Sequence, residues 1–131
     1  MLKKKWPTDY PAHIIVPPEH ASNQNIDLYR IVGANPPTQN DFLASYKDPE
    51  QAHLVKYPKF ANNPNFYGTS LFSKHKAIVN VMEVNPNKFR NKKIAHGTVL
   101  VEHGMVGIES GSSHVTTWFF DGAFPVGFKV I

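Results

Sequence analysis

The distribution of proline and glycine restricts this chain more than any other feature of its sequence. Nine of the eleven prolines lie within residues 1–64, and six of the eight glycines lie from Gly97 onward. Proline fixes one backbone angle and removes a hydrogen-bond donor, so the first half is predicted to contain short elements joined by stiff loops. Glycine among residues typical of strands indicates turns and bulges, so the second half is predicted to be a sheet.

Length and composition favour one folded domain. The chain has 131 residues, of which 41% are hydrophobic and 18% are charged, and a domain typically holds about 100–150 residues. This composition excludes a wholly disordered chain, a collagen-like repeat and a coiled coil. The lack of cysteine excludes disulfides, thiolate zinc sites and cysteine nucleophiles.

The sequence predicts neither membrane insertion nor export. No apolar run approaches the roughly 18 residues that a membrane helix needs. Residues 1–7 are basic at the start, but no apolar stretch follows them, so no signal peptide is predicted. We therefore expect a cytoplasmic protein with no membrane partner, and the oligomeric state stays open.

Residues 26–32 are predicted to form a half-buried strand, because apolar and polar side chains alternate along them. Ile26, Leu28, Arg30 and Val32 then share one face. An arginine among aliphatic residues is unusual, since a buried guanidinium must be paired or face a cleft. Arg30 is therefore a candidate functional residue.

The remaining pattern predicts two short helices and further strands. The helices are expected over residues 39–46 and 74–84, on either side of a long loop at 47–65 and a strand-like segment at 65–72. Everything after Lys93 is predicted to be β-structure, ending in a strand with Val126, Phe128 and Val130 on one face. The prediction is an irregular arm at 1–25 and one α+β domain at 26–131, with five to six strands in split antiparallel or mixed sheets.

Basic residues are concentrated in one segment. The net charge is +4, but residues 74–93 contain only one acid, Glu83, beside six bases: Lys74, Lys76, Lys88, Arg90, Lys92 and Lys93. Such a segment can attract phosphate in a nucleic acid or in a nucleotide, or it can simply be a solvated helix end. Phe89 is its only aromatic residue, so nucleic-acid binding is a minor hypothesis.

Several common functional signatures are missing. The chain has neither the phosphate-binding nor the dinucleotide-binding glycine motif, and it lacks the nucleophile elbow of many hydrolases. His96, His103 and His114 are close in sequence but lack the spacing of helical metal ligands, so no metal site is predicted.

The order of the elements resembles the ADP-ribosyltransferase-like fold, the family of NAD-using toxins and their relatives. Leu28-Tyr29-Arg30 is similar to the arginine-bearing first strand of that family. The segment from Gly68 to Phe72, read Gly-Thr-Ser-Leu-Phe, is similar to its serine motif, with Gly68 in place of the first serine. The resemblance covers residues 26–131 and implies a fold of this type with NAD as the cofactor.

The resemblance also implies roles for individual residues. Arginine offers a planar charged fork for diphosphate or ribose, a serine hydroxyl orients the site, and an aromatic ring stacks on nicotinamide. The implied cofactor-binding residues are Arg30, Tyr67, Gly68, Thr69, Ser70 and Phe72.

The family places a glutamate on a late strand, where it stabilises the positive charge that develops as the nicotinamide–ribose bond breaks. The corresponding stretch here has His114 at that position, and Glu109 lies five residues earlier. The implied catalytic residues are therefore Arg30, Ser70 and either His114 or Glu109.

The first hypothesis is a domain that binds NAD or a related nucleotide and transfers ADP-ribose or cleaves the nicotinamide–ribose bond, with a possible protein target in a toxin or defence system. Two alternatives stay open. One is a non-catalytic binding or immunity-type module with a degenerate pocket, and the other is a small nucleic-acid-binding domain that uses Lys88, Arg90, Lys92 and Lys93.

Overall fold

The computed structural model describes residues 4–131, and its central element is one antiparallel sheet. The strands are β1 (Ile26–Val32), β2 (Thr69–Phe72), β3 (Lys93–Val99), β4 (Gly104–Ile108), β5 (His114–Phe119) and β6 (Lys129–Val130), and the α-helices are α1 (Pro58–Ala61) and α2 (His75–Val84). The strand order is β4-β5-β2-β1-β3-β6. The predicted α+β class is confirmed, and the six strands agree with the five to six expected.

The prediction of split sheets is wrong, because β2 pairs with both β5 and β1 and so joins the two halves of the sheet. The connection between the halves is short. The ladder between β1 and β2 is limited to the pair Tyr29–Phe72, whereas β1 and β3 share seven aligned pairs. A gap can therefore open between β1 and β2 beyond that pair.

The alternation of apolar and polar side chains that predicted β1 also determines which residues lie on each face of the strand. Leu28 and Val32 are buried, and they pack in a core that contains residues from both halves of the chain. Its fully or nearly fully buried members are Leu28, Val32, Phe42, Leu71, Ala95, Val99, Val106, Val115 and Phe128. Arg30 lies on the same face of β1 as Leu28 and Val32, as predicted from the period of two.

One predicted helix is present, one is only a short turn, and one helix lies where a loop was predicted. The helix predicted at 74–84 is α2, and its residue Ile78 is fully buried. The helix predicted at 39–46 is only a short 3₁₀ turn, Gln39–Phe42. The predicted loop at 47–65 instead contains α1, which begins at Pro58, because proline suits the first turn of a helix and has no N–H to satisfy there.

The C-terminal strand is much shorter than predicted. The Phe128 N–H donates to the Pro125 carbonyl and closes a turn, so only Lys129 and Val130 pair with β3. Val126 lies in this turn and is 76% exposed, whereas Phe128 is buried. The expectation that Val126, Phe128 and Val130 line one face of a C-terminal strand is wrong, because only Val130 of the three belongs to a strand.

Residues 4–25 contain no helix or strand, and the first three residues of the predicted arm lie outside the described part of the chain. The segment nevertheless contacts the rest of the molecule at several points. Ser22 forms a β-bridge with Val106, the Trp6 ring lies 4.6 Å from that of Phe120, and the Asp9 carboxylate pairs with the Lys47 ammonium at 3.2 Å.

Gly68 immediately precedes β2 and lies against β5. A Cβ at this position would lie 2.5 Å from Thr116 Cγ2 and 3.1 Å from the Thr117 carbonyl oxygen. A methyl group therefore has no room there, and the glycine serves close packing.

We expect Gly68→Ala to lower the free energy of unfolding by about 1–3 kcal/mol through overpacking. Gly127→Ala is the matched control, since nothing lies within 4 Å of a Cβ there. Urea unfolding measures both variants. Equal stabilities would contradict the packing role of Gly68.

Candidate functional site

A cleft of about 550 Å³ opens beside the short ladder between β1 and β2. Its walls come from β1, β2, residues 40–51 and the segment that follows α2. The polar, charged and aromatic residues of these walls include Arg30, Asp41, Asp48, Glu50, Ser70, Phe72, Lys88, Phe89 and Lys92. A volume of this size is within the range of about 300–1,000 Å³ that is usual for small-molecule sites.

Arg30 bridges two walls of the cleft. Its Nε donates to the Asp41 carbonyl at 2.8 Å, and its Nη1 donates to the Ser70 carbonyl at 2.8 Å. Burial lowers the pKa of Arg30 to about 10, against the opposing effect of the Asp48 and Asp41 carboxylates. Arg30 therefore stays charged at neutral pH, and among residues 4–131 its Nη2 has no hydrogen-bond acceptor.

Ser70 and His114 form a hydrogen-bonded pair. Ser70 Oγ lies 2.7 Å from His114 Nε2, because β2 and β5 pair Phe72 with His114 and so place Ser70 diagonally across from the imidazole. Desolvation lowers the pKa of His114, and the charge of Glu109 opposes that effect. The imidazole is thus neutral at pH 7. Ser70 is part of the cleft wall, and His114 lies behind it.

Three other candidate cofactor-binding residues line two different cavities. Phe72 lines the cleft. Tyr67 and Thr69 are buried, and they donate to the carbonyls of Ala61 and Phe42, each at 2.8 Å. Both line a second, smaller cavity of about 130 Å³, whose walls include several aromatic rings. Tyr67 is therefore not placed to stack on a ligand in the larger cleft.

Glu109 is outside the cleft. Its side chain is exposed and accepts a hydrogen bond from Asn65 Nδ2 at 3.3 Å. Its effect on the site is electrostatic, because its negative charge acts to raise the pKa of His114.

Sequence reasoning missed the carboxylates that the cleft does contain. Asp41 accepts from the backbone N–H groups of Gly33 and Thr38 at 2.7 and 2.8 Å, and Asp48 accepts from the Glu50 N–H at 2.9 Å. These two carboxylates organise the loop. The Glu50 side chain is exposed and makes no hydrogen bond or ion pair with another described residue. The predicted long loop at 47–65 could have drawn attention to Asp48 and Glu50, because long loops are often functional.

The basic wall comes from the segment after α2. Lys88 and Lys92 line the cleft, and Lys88 Nζ lies 5.3 Å from the centroid of the Phe89 ring. Within residues 4–131 only Lys47 and Asp9 form an ion pair. The ammonium groups of Lys88 and Lys92 are thus available to an anion.

The chain matches no protein-family model, no curated protein and no solved structure. No helix in the described part of the chain has the length and apolar character needed to cross a bilayer. Nor do residues 4–131 bring together three histidine or carboxylate side chains in an arrangement suited to a metal ion.

The lowered pKa of His114 predicts a pH dependence of stability. The ordinary value is 6.5, so as the pH falls below about 6.5 the unfolded chain takes up this proton more readily than the folded chain. The free energy of unfolding of the wild type should therefore fall as the pH falls below about 6.5. In His114→Gln, whose amide can still form a hydrogen bond with Ser70, the free energy of unfolding should fall less over the same change of pH.

Urea unfolding at several pH values measures the two curves. His103, whose pKa is also lowered by burial, is present in both proteins and cancels in the comparison. Parallel curves would show that His114 is not desolvated as the structure indicates.

Proposed function

We propose that the cleft binds a nucleotide with a diphosphate group, with NAD as the leading candidate. The observation that supports this most is that Arg30, Ser70 and Phe72, three residues chosen from the resemblance to ADP-ribosyltransferases, line one cleft together with Lys88 and Lys92. The lysines supply charge for phosphate, and the remaining N–H groups of Arg30 Nη2 supply donors.

The distribution of charge favours a ligand that carries both signs. Lys88 and Lys92 lie on one wall, whereas Asp48 and Glu50 lie in the loop that forms another. Oxidised NAD has an anionic diphosphate and a cationic nicotinamide ring. Its diphosphate suits the basic wall, and its pyridinium suits the acidic loop.

Two aromatic rings can accept the bases of the ligand. Phe72 and Phe89 both line the cleft and both are partly exposed. Stacking of an exposed ring on a heteroaromatic base is favourable and does not require a particular base. Of the two rings that the resemblance implied for stacking, Tyr67 and Phe72, this proposal keeps Phe72, and it adds Phe89.

For an ADP-ribosyltransferase-like reaction, Glu50 is the proposed carboxylate. Cleavage of the nicotinamide–ribose bond develops positive charge on the ribose, which a nearby carboxylate stabilises. Glu50 lines the cleft with its carboxylate unengaged, whereas Glu109 is bonded to Asn65 outside it. The acceptor of the ADP-ribose is then water or a protein target.

A second candidate is a module that binds the nucleotide without cleaving it. The observation in its favour is that Nε and Nη1 of Arg30 already donate to backbone carbonyls and that Glu109 lies outside the cleft. The two candidates share the binding site and differ only in turnover.

We expect NAD to bind the wild type in a calorimetric titration and the double variant Lys88→Ala/Lys92→Ala to bind at least about tenfold more weakly, a loss of about 1.4 kcal/mol. The control is Lys74→Ala/Lys76→Ala, which removes the same charge from exposed lysines that do not line the cleft. No heat at millimolar NAD would reject the proposal. Equal weakening by both double variants would indicate a general charge effect instead.

Nicotinamide release separates the enzyme from the binding module. If the domain is an enzyme, Glu50→Gln should lower the release rate by at least about a hundredfold, as expected when an electrostatic stabiliser is removed, without loss of NAD binding. Glu109→Gln should release nicotinamide at the wild-type rate. Binding without any release from the wild type would favour the second candidate.

A further inference from the structure

Ser70 and His114 have the geometry of a nucleophile and its base. Their side-chain atoms lie 2.7 Å apart, within the range of about 2.6–3.2 Å that a base needs to take a hydroxyl proton. We infer that Ser70 is an activated nucleophile that attacks carboxylic esters bound in the cleft. This inference does not depend on NAD binding.

Both side chains are positioned by strands. β2 and β5 are aligned over four residue pairs, from Thr69–Thr117 to Phe72–His114. The imidazole also packs edge-to-face against the Phe72 ring, with centroids 5.6 Å apart and an interplanar angle of 77°. A pair held on neighbouring strands keeps its distance better than one placed on loops.

The two side chains differ in their exposure to the cleft. Ser70 belongs to the wall of the cleft, and His114 does not line it. His114 is partly buried, and desolvation favours its neutral form. A neutral imidazole has a nitrogen lone pair that can accept the serine proton, which an imidazolium lacks.

A permanent positive charge is bonded to the backbone of Ser70. Arg30 Nη1 donates to the backbone carbonyl of Ser70 at 2.8 Å, and Lys88 and Lys92 line the same cleft. When a hydroxyl attacks a carbonyl carbon, negative charge develops on the carbonyl oxygen, and nearby cations stabilise it. The same cations favour esters that carry an anionic group.

The reaction balances with water as the second reactant. Ser70 Oγ forms a bond to the carbonyl carbon while its proton passes to His114 Nε2. The bond from that carbon to the alcohol oxygen then breaks, and the alcohol leaves with the proton from His114. Water, deprotonated by His114, next attacks the acyl-serine and releases the carboxylic acid, which restores the Ser70 hydroxyl.

The test uses the full chain with a fluorophosphonate probe, which reacts with activated serines, and with 4-nitrophenyl butyrate as an ester substrate. The wild type should take up one probe on Ser70, located by peptide mass spectrometry. Ser70→Ala should lose both labelling and turnover, and His114→Gln should slow both by about a hundredfold or more, the usual effect of losing a general base.

Ser73→Ala is the matched control. Its hydroxyl bonds the Ser113 carbonyl at 3.3 Å and has no histidine partner, so labelling and turnover should stay at the wild-type level. Circular dichroism checks that each variant is folded. A folded wild type that is not labelled, labelling that persists in Ser70→Ala, or an unchanged rate in His114→Gln would each overturn the inference.

Adding NAD to the labelling reaction separates this inference from the proposed function. Protection of Ser70 by NAD would support both, since the two ligands would then compete for one cleft. Labelling without protection would retain the nucleophile and count against nucleotide binding there.

Discussion

The hydrogen bonds of Arg30 to two backbone carbonyls are the interaction on which the rest of the site depends. A charged guanidinium is costly to bury unless its donors are satisfied, and here the Asp41 and Ser70 carbonyls accept from it at 2.8 Å each. The first bond attaches the loop of residues 40–51 to β1, and the second bridges β1 to β2 where their ladder is short. The cleft lies between the elements that this one side chain connects.

The loop around Arg30 gives the cleft its mixed charge. Asp41 and Asp48 use their carboxylates to cap backbone N–H groups of the loop, so their negative charge is fixed in place. Lys88 and Lys92, from the segment after α2, line the same cleft. The two chemistries proposed for this cleft need the same features, since a diphosphate and an ester oxyanion both develop favourable interactions with fixed cations. They differ in the group that reacts, Glu50 in one and Ser70 in the other.

Local patterns predicted the regular elements well and the irregular ones poorly. β1 begins and ends at the predicted residues, because its alternation matches the period of a strand. α2 follows from the spacing of its apolar residues and from Asn85-Pro86 after it. The C-terminal strand was overestimated, since the turn between Pro125 and Phe128 depends on one hydrogen bond that no periodicity reveals. Arg30 was found because it is a charged residue on the apolar face of a strand, and Ser70 because its segment resembles a serine motif. Asp48 and Glu50 were missed because they lie in a loop without a pattern.

The amino-acid sequence by itself determined the α+β class, the positions of β1 and α2, and the presence of an arginine on the apolar face of a strand, because side-chain period and proline act over a few neighbouring residues. Only the tertiary structure decided which partners these residues meet. Ser70 and His114 are 44 positions apart, and their contact follows from the register of β2 with β5. The placement of Glu50 in the cleft and of Glu109 outside it likewise follows from how a loop and two strands pack, and such long-range packing leaves no mark on the local sequence.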